Sequence, residues 1–247
     1  MGRPINFFSH HKCATLWLHE YLAKAAELNK RTFFRTNFGD APKGATADIV
    51  FFGNATYRFD AECGLSGWHV IRNPLNLIVS AYYSHLQSHP FTGFWPALMP
   101  QRKLLKSAGK DEGMFLTLTF LERADIDSRW MGPLLALRQW DYADGRFKTL
   151  KMEDMVARPD HVLRPILSGL GENGSVLLPT DSEMRFANFS GGRKVGEIDD
   201  SSHYRSGSED SWKTELPPVI IRYIRSRFAD VLERFYPETL SSIDNHT

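Results

Sequence analysis

One short segment near the N-terminus combines residue types that bind anions. An apolar run, Ile5–Phe8, leads through Ser9–Trp17, with the sequence SHHKCATLW, into a helix-like pattern at Leu16–Ala26. A strand that feeds a helix through a tight turn directs unpaired backbone N–H groups and the positive end of the helix dipole at one point. Lys12 and Thr15 lie at that point in the sequence. The segment therefore predicts a site for a phosphate or a sulfate.

The segment is not a Walker A loop. It has no glycine between His10 and Trp17, so the pattern GxxxxGK[ST] is absent. Ordinary binding of ATP or GTP is therefore disfavoured. A plain surface lysine before a helix is the alternative interpretation of Lys12.

A second group follows another apolar run. Arg72 ends the segment His69–Arg72, and Ser80 lies two turns into the helix that Pro74 begins. Ligands of an α/β sheet bind at the ends of its strands, and an arginine with a nearby hydroxyl suits a phosphomonoester. The alternative is an Arg72 paired with a carboxylate and a Ser80 bonded back into its own helix.

The third group is His203–Lys213, where Arg205 stands two residues before Gly207. In a flexible loop the guanidinium and the backbone amides can wrap a phosphate, while glycine lets the chain approach closely. A Ser/Gly loop with charges is also typical of a solvated connection, so this group alone decides nothing.

The elements that position these groups alternate between strand and helix. Buried parallel strands are predicted at Ile5–Phe8, Ile49–Phe52, Trp68–Ile71 and Phe147–Met152. Helices are predicted at the following places in the chain: Leu16–Ala26, Leu75–Gln87, Phe115–Arg123, Trp130–Tyr142, His161–Gly169 and Pro218–Phe235. The pattern indicates a three-layer α/β fold with a central, mainly parallel sheet flanked by helices.

Length and composition favour one domain. The chain has 247 residues, of which 42% are hydrophobic and 24% charged, as in a folded protein with one large core. We predict a single domain over residues 1–247. Two stretches, 91–113 and 181–211, show neither period, and we expect them to be lid loops.

Net charge, targeting signals and cysteine content limit the partners, the location and the metals that the sequence predicts. A net charge of +1 excludes a global electrostatic hold on nucleic acid or membrane, so we expect neither as a partner. The sequence has no signal-peptide apolar region, no apolar run of the roughly 18 residues that a membrane span needs, and only Cys13 and Cys63 as cysteines. We expect a cytoplasmic protein with reduced thiols. The cysteines and histidines show no metal-ligand spacing, so no metal is predicted.

Taken in order, the three groups resemble the PAPS-dependent sulfotransferases, whose donor is 3′-phosphoadenosine 5′-phosphosulfate (PAPS). The resemblance covers Ile5 to Phe235 and includes Leu150–Val156, which looks like the end of the family's "YED" strand. It implies a P-loop NTPase-like sulfotransferase fold. It also implies that the Lys12 loop binds the 5′-phosphosulfate, that Arg72 and Ser80 bind the 3′-phosphate, and that Arg205–Gly207 closes over the donor.

Family roles carry over to individual positions. Thr15 is expected beside the 5′-phosphate, with Trp17 and Phe186 against the adenine; Trp17 packed in the core and Phe186 pinning the lid are the alternatives. The implied donor-binding residues are the following: His11, Lys12, Cys13, Ala14, Thr15, Leu16, Trp17, Arg72, Ser80, Phe186, Arg205, Ser206 and Gly207.

Several positions depart from the family pattern. Ala14-Thr15-Leu16 replaces Gly-Thr-Thr, and we expect the turn to survive because helical φ and ψ tolerate alanine. Ser206 replaces the lysine of Arg-Lys-Gly, and Met152 stands where many relatives have a tyrosine. We therefore expect the loop to bind the donor less tightly.

The implied chemistry is in-line sulfuryl transfer, with Lys12 stabilising charge on the bridging oxygen. The base that takes the acceptor's proton is harder to assign, because Asn54 stands roughly where the family has a histidine and cannot accept a proton. His85 is our first choice. The alternatives are His89, His10, His11, Asp60 and Glu20.

The sequence thus predicts an enzyme that sulfates a hydroxyl or an amine of a small-molecule acceptor and releases adenosine 3′,5′-bisphosphate (PAP). Phe91–Pro96 with Tyr82 and Tyr83 would line its acceptor pocket or form a small core of their own. Two alternatives remain open: a P-loop-type kinase of small molecules or nucleotides, and a non-catalytic nucleotide-binding protein on the same fold. The oligomeric state cannot be read from the sequence.

Overall fold

The structure is a computed structural model that describes residues 3–37, 47–91, 95–124, 131–172 and 175–244. The side chains of residues 59 and 60 also lie outside the description. The chain forms two compact units. The sheet unit comprises Met1–Arg72 and Ala124–Arg185, and the helical unit comprises Asn73–Arg123 and Phe186–Thr247. The prediction of a single domain stays a prediction.

The described residues of the sheet unit form five parallel strands in the order β2-β3-β1-β4-β5. Their bounds are β1 Ile5–Ser9, β2 Phe33–Asn37, β3 Ile49–Gly53, β4 Gly67–Ile71 and β5 Phe147–Lys151. The four predicted strands and the parallel α/β class are confirmed. The sequence analysis missed β2, an edge strand whose residues are only half-buried or exposed, so its apolar signal is short.

Strand β1 occupies the centre of the sheet. Phe7 lies opposite Phe51 of β3 on one side and Trp68 of β4 on the other. The chain leaves β1 toward β2 and β3 and later crosses to β4, so the order reverses beside β1. Ligands of open α/β sheets bind at such a switch point, outside the carboxyl ends of the strands. The residues that follow β1, β3 and β4 share that edge.

One face of the sheet carries an aromatic cluster. Its buried members are Phe8, Val50, Phe52, Ala55, Trp140 and Phe147. The rings of Phe8 and Phe52 stack with centroids 4.8 Å apart. Each fully buried side chain of this size contributes about 1.5–3 kcal/mol. The cluster therefore anchors the end of β1 from which the anion-binding segment departs.

The sheet unit has helices at predicted positions and two further helices, near residues 57–62 and 152–157, that were not predicted. The helices are α1 Thr15–Leu28, α2 Tyr57–Glu62, α6 Pro133–Gln139, α7 Met152–Ala157 and α8 Pro159–Leu167, with a 3₁₀ turn at Ser168–Leu170. Helix α1 buries Leu18, Leu22 and Ala25 on one face. Met152, predicted as the last residue of a strand, instead begins α7.

The helical unit contains the remaining elements. They are α3 Pro74–Tyr83, a π-helical turn Ser84–Ser88, α4 Leu98–Ser107, α5 Lys110–Leu121, α9 Phe186–Phe189, α10 Trp212–Glu215, α11 Pro218–Arg227, α12 Ala229–Phe235 and α13 Pro237–Asp244. None of the helices among the described residues is long and apolar enough to cross a membrane.

Two predictions for this unit were wrong. The stretch 91–113, expected to be a lid loop, is largely helical: α4 buries Leu98, Gln101 and Leu105 on one face, and α5 begins at Lys110. Pro100 obscured the helical period, although proline is tolerated in a first turn; residues 92–94 lie outside the description. The helix predicted over 218–235 is broken at Phe228, where φ is −122°.

Candidate functional site

The loop between β1 and α1, residues 10–14, has its backbone carbonyls turned toward the protein. The carbonyl of His10 accepts hydrogen bonds from the Cys13 amide and from Thr15 Oγ1, both at 3.0 Å. The carbonyl of Cys13 accepts from Ser9 Oγ at 2.8 Å. With these acceptors occupied internally, a ligand at this loop would meet backbone amides rather than carbonyls, apart from the Cys13 amide, which is already bonded. We call these residues the Lys12 loop.

Contacts from two neighbouring strand ends hold this loop and the strand residue that precedes it. Arg72, just after β4, donates from Nη1 to the carbonyl of Lys12 at 2.9 Å. The amide of Ala55, just after β3, donates to the carbonyl of Ser9 at 2.9 Å. The structure thus brings Arg72 to the Lys12 loop, as the sequence analysis expected.

The backbone of the Lys12 loop is strained. Lys12 has φ 68°, and Ala14, the N-cap of α1, has φ 54° and ψ 28°. The expectation that Ala14 adopts right-handed helical angles was wrong, because the loop reverses direction there and needs the left-handed region. That region costs a residue with a Cβ about 1–2 kcal/mol. Asn54, in the turn after β3, also has a positive φ of 54°.

Helix α1 begins without a side-chain cap. Ala14 offers no side-chain cap, so the first amides of α1 have no capping partner from that residue. His11, Ala14 and Thr15 are half-buried, whereas Leu16 is exposed. The dipole of this 14-residue helix adds partial positive charge at the same end. An anion is the ligand that these groups favour.

Lys12 supplies an amine whose protonation state changes near neutral pH. Its side chain is nearly buried. Burial, and then the positive charge of Arg72, lower the pKa of Lys12 to about 7. An anion bound beside the amine would favour the ammonium form and raise this pKa.

Cys13 is chemically inert here. Burial raises the pKa of its thiol to about 12, and the negative charge of Glu153 adds to the effect against the opposing charge of Arg72. The thiolate is the nucleophilic form of cysteine. Cys13 therefore serves the loop through its backbone.

Trp17 lies in the core of the sheet unit with 4% of its surface exposed. Its Nε1 donates to the carbonyl of Met184 at 3.0 Å, and its ring stacks on Tyr21 with centroids 5.3 Å apart. The core position of Trp17 is thus observed, and its adenine contact stays a prediction.

Ser80 lies on α3 and is half-buried. The helix is started by Asn73, whose Oδ1 accepts from the Leu75 amide at 3.0 Å and whose Nδ2 donates to Thr239 Oγ1 at 2.8 Å. Asn76, in the first turn, donates to the carbonyl of Glu209. These contacts tie the start of α3 to the C-terminal helices and to the predicted lid.

Arg205 is held by carboxylates. Its Nε bonds Asp200 Oδ1 at 2.5 Å, and its Nη2 bonds Glu215 Oε1 at 2.6 Å. The guanidinium also lies over the ring of Tyr83, 3.7 Å from the centroid. Glu215 Oε2 in turn accepts from Tyr83 OH at 2.7 Å and Lys110 Nζ at 2.6 Å. The sequence analysis did not foresee these partners.

The predicted lid 181–211 is organised by Arg193. Its guanidinium donates to the backbone carbonyls of Ser190, Glu197, Tyr204 and Arg205 at 2.6–3.0 Å. A solvated, irregular segment has no such common centre. The segment is therefore an ordered loop around one arginine.

Phe186 and Gly207 meet within this loop. Gly207 has φ 63°, and a Cβ placed on it would lie 2.9 Å from Cδ2 of Phe186. Glycine is thus needed at this position for both conformation and space. Ser206 is buried, and its Oγ lies 3.4 Å from Ser211 Oγ.

His85, our first choice for a general base, lies in the π-helical turn and is fully buried. Its ring meets Trp95 edge-on with centroids 4.7 Å apart, and Arg102 Nε donates to its carbonyl at 2.6 Å. Insertions of this kind are frequent at functional sites. Its role as a base stays a prediction.

The other candidate bases differ in surroundings. His10 is buried, and burial lowers its pKa to about 3, so it is too weak a base for proton abstraction near neutral pH. Glu20 is exposed on α1, and the side chain of Asp60 lies outside the described residues. Across the described ranges, no group of three histidine, cysteine or acidic residues is arranged to hold a metal ion.

Comparison with known families decides the identity. A model of the sulfotransferase domain matches residues 69–236, which is more than half of the chain.

The chain belongs to the sulfotransferase family.

The matched range of this sulfotransferase begins in β4 and includes Arg72, Ser80 and Arg205. The Lys12 loop precedes it, so the interpretation of that loop depends on its own geometry. The predicted family and enzyme class are confirmed, and nothing in the comparisons favours a kinase.

Solved structures have the same fold. Mouse sulfotransferase SULT7A1 complexed with PAP gives a TM-score of 0.55 at 14% identity, over 98% of this chain and 90% of that one. Retinol dehydratase with androsterone and PAP gives a TM-score of 0.51 at 11% identity, over 95% of this chain and 82% of that one. The same enzyme with retinol and PAP gives a TM-score of 0.52 at 11% identity, over 95% of this chain and 83% of that one. At these identities the likeness confirms the P-loop-like sulfotransferase fold. No curated protein matched the sequence.

Proposed function

We propose that this sulfotransferase moves a sulfuryl group from PAPS to a hydroxyl or an amine of a small-molecule acceptor and releases PAP. The observation that carries the proposal is the Lys12 loop, in which carbonyls turn inward, α1 begins without a side-chain cap, and Lys12 and Arg72 add positive charge. Structural neighbours that hold PAP support the choice of donor.

The sheet unit supplies one set of proposed contacts. The loop amides and Lys12 bind the 5′-phosphosulfate, with His11, Cys13, Ala14, Thr15 and Leu16 contributing mainly through the backbone. Arg72 bonds the Lys12 carbonyl through Nη1, which orients its guanidinium for the 3′-phosphate. Trp17, fixed by Met184 and Tyr21, is proposed to flank the adenine.

The further proposed donor-binding residues, carried over from the family resemblance, are Ser80, Phe186, Arg205, Ser206 and Gly207. For Phe186 and Gly207 the support is their mutual contact, which fixes the Phe186 ring. For Arg205 the two carboxylate partners are competitors, so binding of a phosphate must exchange at least one of them. This exchange agrees with the weaker donor binding that Ser206 led us to expect.

The reaction follows from the donor. The acceptor oxygen or nitrogen forms a bond to sulfur, the bond from sulfur to the bridging oxygen breaks, and its electron pair stays on the 5′-phosphate of PAP. The Lys12 ammonium stabilises the charge that grows on that oxygen. The acceptor's proton passes to a base, for which we propose His85, a buried residue whose ring contacts Trp95.

The acceptor is proposed only as a class, a small molecule with a hydroxyl or an amine. Two structures of retinol dehydratase hold androsterone and retinol, which supports a small molecule over a polymer. A cytoplasmic location, the absence of nucleic-acid and membrane partners, and a reaction without metal stay predictions from the sequence.

An acceptor screen with sulfur-labelled PAPS tests the proposal. We expect label transfer by the wild type and loss of transfer in Lys12→Ala, with Arg158→Ala, a change at an exposed arginine, as the matched control. Wild-type turnover in Lys12→Ala would remove Lys12 from the mechanism. Tight PAP binding without transfer to any acceptor would favour the non-catalytic alternative, and a preference for ATP over PAP would favour the kinase.

A further inference from the structure

His10, the first residue of the Lys12 loop, forms a buried pair with His69, and neither histidine has a role in the proposed reaction. Nε2 of His10 and Nε2 of His69 lie 2.7 Å apart, and both side chains are buried. His69 belongs to β4 and is opposite Phe8 of β1, two residues before His10. The two rings therefore project from the same face of the sheet.

The pair lies in an apolar environment. The His69 ring stacks on Trp140 with centroids 3.7 Å apart and planes 8° from parallel, and His10 meets Trp140 edge-on at 5.8 Å. Burial lowers the pKa of both histidines, so both rings are neutral near pH 7. Two neutral imidazoles can share one proton along the line between the two Nε2 atoms, as a single hydrogen bond.

The separation argues against a metal bridge. Two nitrogens on one tetrahedral zinc ion, each about 2.0–2.1 Å from it, would lie about 3.3 Å apart. The observed 2.7 Å fits a direct N–H···N bond.

The pair is connected directly to the Lys12 loop. The carbonyl of His10 accepts both the Cys13 amide and the Thr15 hydroxyl, at 3.0 Å each. Fixing the His10 ring through His69 therefore fixes the carbonyl that closes the loop. A buried polar pair adds little stability over an apolar pair of the same shape. The main effect of the bond between His10 and His69 is therefore to fix the orientation of the His10 ring.

We propose that His10 and His69 are positioning residues that hold the Lys12 loop in its anion-binding conformation without touching the donor. The inference depends on the proposed function only through the identity of the anion. Whichever anion binds, the N–H···N bond between His10 and His69 keeps residues 10–17 in one conformation.

The test compares four variants with the wild type by calorimetric titration with PAP and by hydrogen exchange of residues 10–17 without ligand. His69→Phe keeps the stack on Trp140 and removes the bond. His69→Gln places an amide near the position of Nε2 and restores a partner for His10. Tyr142→Phe is the control, since its ring lies 5.7 Å from His69 while its hydroxyl donates to the Leu137 carbonyl.

The fourth variant, with His10→Phe and His69→Phe together, guards against a folding defect, because an apolar pair leaves no buried group unpaired. We expect His69→Phe and the double variant to raise the Kd for PAP about tenfold and to speed exchange in residues 10–17. We expect His69→Gln and Tyr142→Phe to stay within about threefold of the wild type, a difference smaller than 1 kcal/mol.

The proposal is wrong if a folded double variant matches the wild type in PAP affinity and in exchange. It is also wrong if His69→Gln is as defective as His69→Phe at the wild-type melting temperature, because ring packing would then explain the loss. Should the wild type bind no PAP, the proposed function fails, and the exchange comparison still decides whether the pair holds the loop.

Discussion

The Arg72 guanidinium donates from Nη1 to the carbonyl of Lys12 at 2.9 Å, across 60 positions of sequence. One side chain thus links the end of β4 to the loop after β1. It turns the Lys12 carbonyl inward and brings a permanent cation near an amine whose pKa is about 7. Arg72 therefore acts on the loop's shape and on its charge.

Replacing Arg72 tests both effects. We expect Arg72→Ala to weaken PAP binding by about 1.5–3 kcal/mol, the range for a hydrogen bond to a charged group. Arg72→Lys keeps a positive charge but lacks the planar donor groups of arginine. We expect its PAP affinity to lie between those of the wild type and Arg72→Ala. Isothermal titration measures the difference, with Arg158→Ala as the control. An unchanged affinity in Arg72→Ala would refute the assignment.

The pKa of Lys12 predicts how donor binding depends on pH. The ammonium form binds the anion, and its fraction in the free protein falls above about pH 7 because burial and Arg72 lower this pKa. Affinity for PAP should therefore fall as pH rises above 7, by up to about tenfold per unit, until the bound-state pKa is reached. Fluorescence or calorimetric titration between neutral and alkaline pH measures this.

Lys12→Arg is the control for that titration, because a guanidinium stays charged throughout. Its affinity should be nearly flat over the same range. A wild-type profile as flat as that of Lys12→Arg would contradict the proposed titration of Lys12.

The strained N-cap of α1 predicts a stabilising substitution. Ala14→Gly removes the Cβ from a residue with φ 54°, and we expect the free energy of unfolding to rise by about 1 kcal/mol. Ala25→Gly, inside the same helix, should lower it by about 1 kcal/mol. Denaturant-induced unfolding of both variants measures the two changes in free energy of unfolding. If Ala14→Gly lowered this free energy as much as Ala25→Gly does, Ala14 would not be strained.

Glu215 is predicted to stabilise the helical unit. Burial raises its pKa, but hydrogen bonds from Lys110, Tyr83 and Arg205 outweigh that effect, so the pKa lies below the ordinary value. Glu215→Ala should lower the free energy of unfolding by about 1.5–3 kcal/mol, the range for hydrogen bonds to a charged group, because it removes the shared acceptor while Arg205 keeps Asp200 as a partner. Glu27→Ala, which removes an exposed pair with Lys24, should cost less than about 1 kcal/mol.

The sign of the pH effect follows from the lowered pKa. The carboxylate's contribution is complete above the unfolded-state pKa and is lost as pH falls through the folded-state pKa. The gap in stability between the wild type and Glu215→Ala should therefore narrow in acid. A gap that stays constant or widens would contradict the network.

The contact between Gly207 and Phe186 predicts an effect on donor binding. Gly207→Ala adds a Cβ 2.9 Å from the Phe186 ring in a residue with φ 63°, so the ring must move. We expect PAP affinity to fall severalfold. Gly191→Ala is the matched control, since Gly191 also has a positive φ, 74°, but open space around its Cβ position. Equal effects in the two variants would attribute the loss to backbone strain alone.

Strong local patterns made much of the fold predictable. Ile49–Phe52 is apolar throughout and Ile5–Phe8 is apolar except for the buried Asn6, because both faces of a central parallel strand are buried, and the structure confirms both strands. Strand β2 lies at an edge, where half-buried residues give a weak signal. Helix α4 was missed because proline and lysine concealed a stripe of only three buried residues.

The candidate site was predictable in residue type more than in contacts. The sequence placed Lys12 and Arg72 at the ends of neighbouring strands, which parallel topology brings to one edge. It did not reveal the left-handed Ala14, because backbone angles depend on how the loop closes. The carboxylate partners of Arg205 and the pairing of His10 with His69 arise from tertiary contacts that no local spacing encodes.

Calorimetric titration of PAP into the wild type and into Lys12→Ala tests the central claim most directly. The account predicts saturable binding of one PAP per chain by the wild type and an affinity at least about tenfold lower in a folded Lys12→Ala variant, as expected for loss of a buried charge-assisted contact. Equal affinity in the two proteins, or no binding by the wild type, would contradict it.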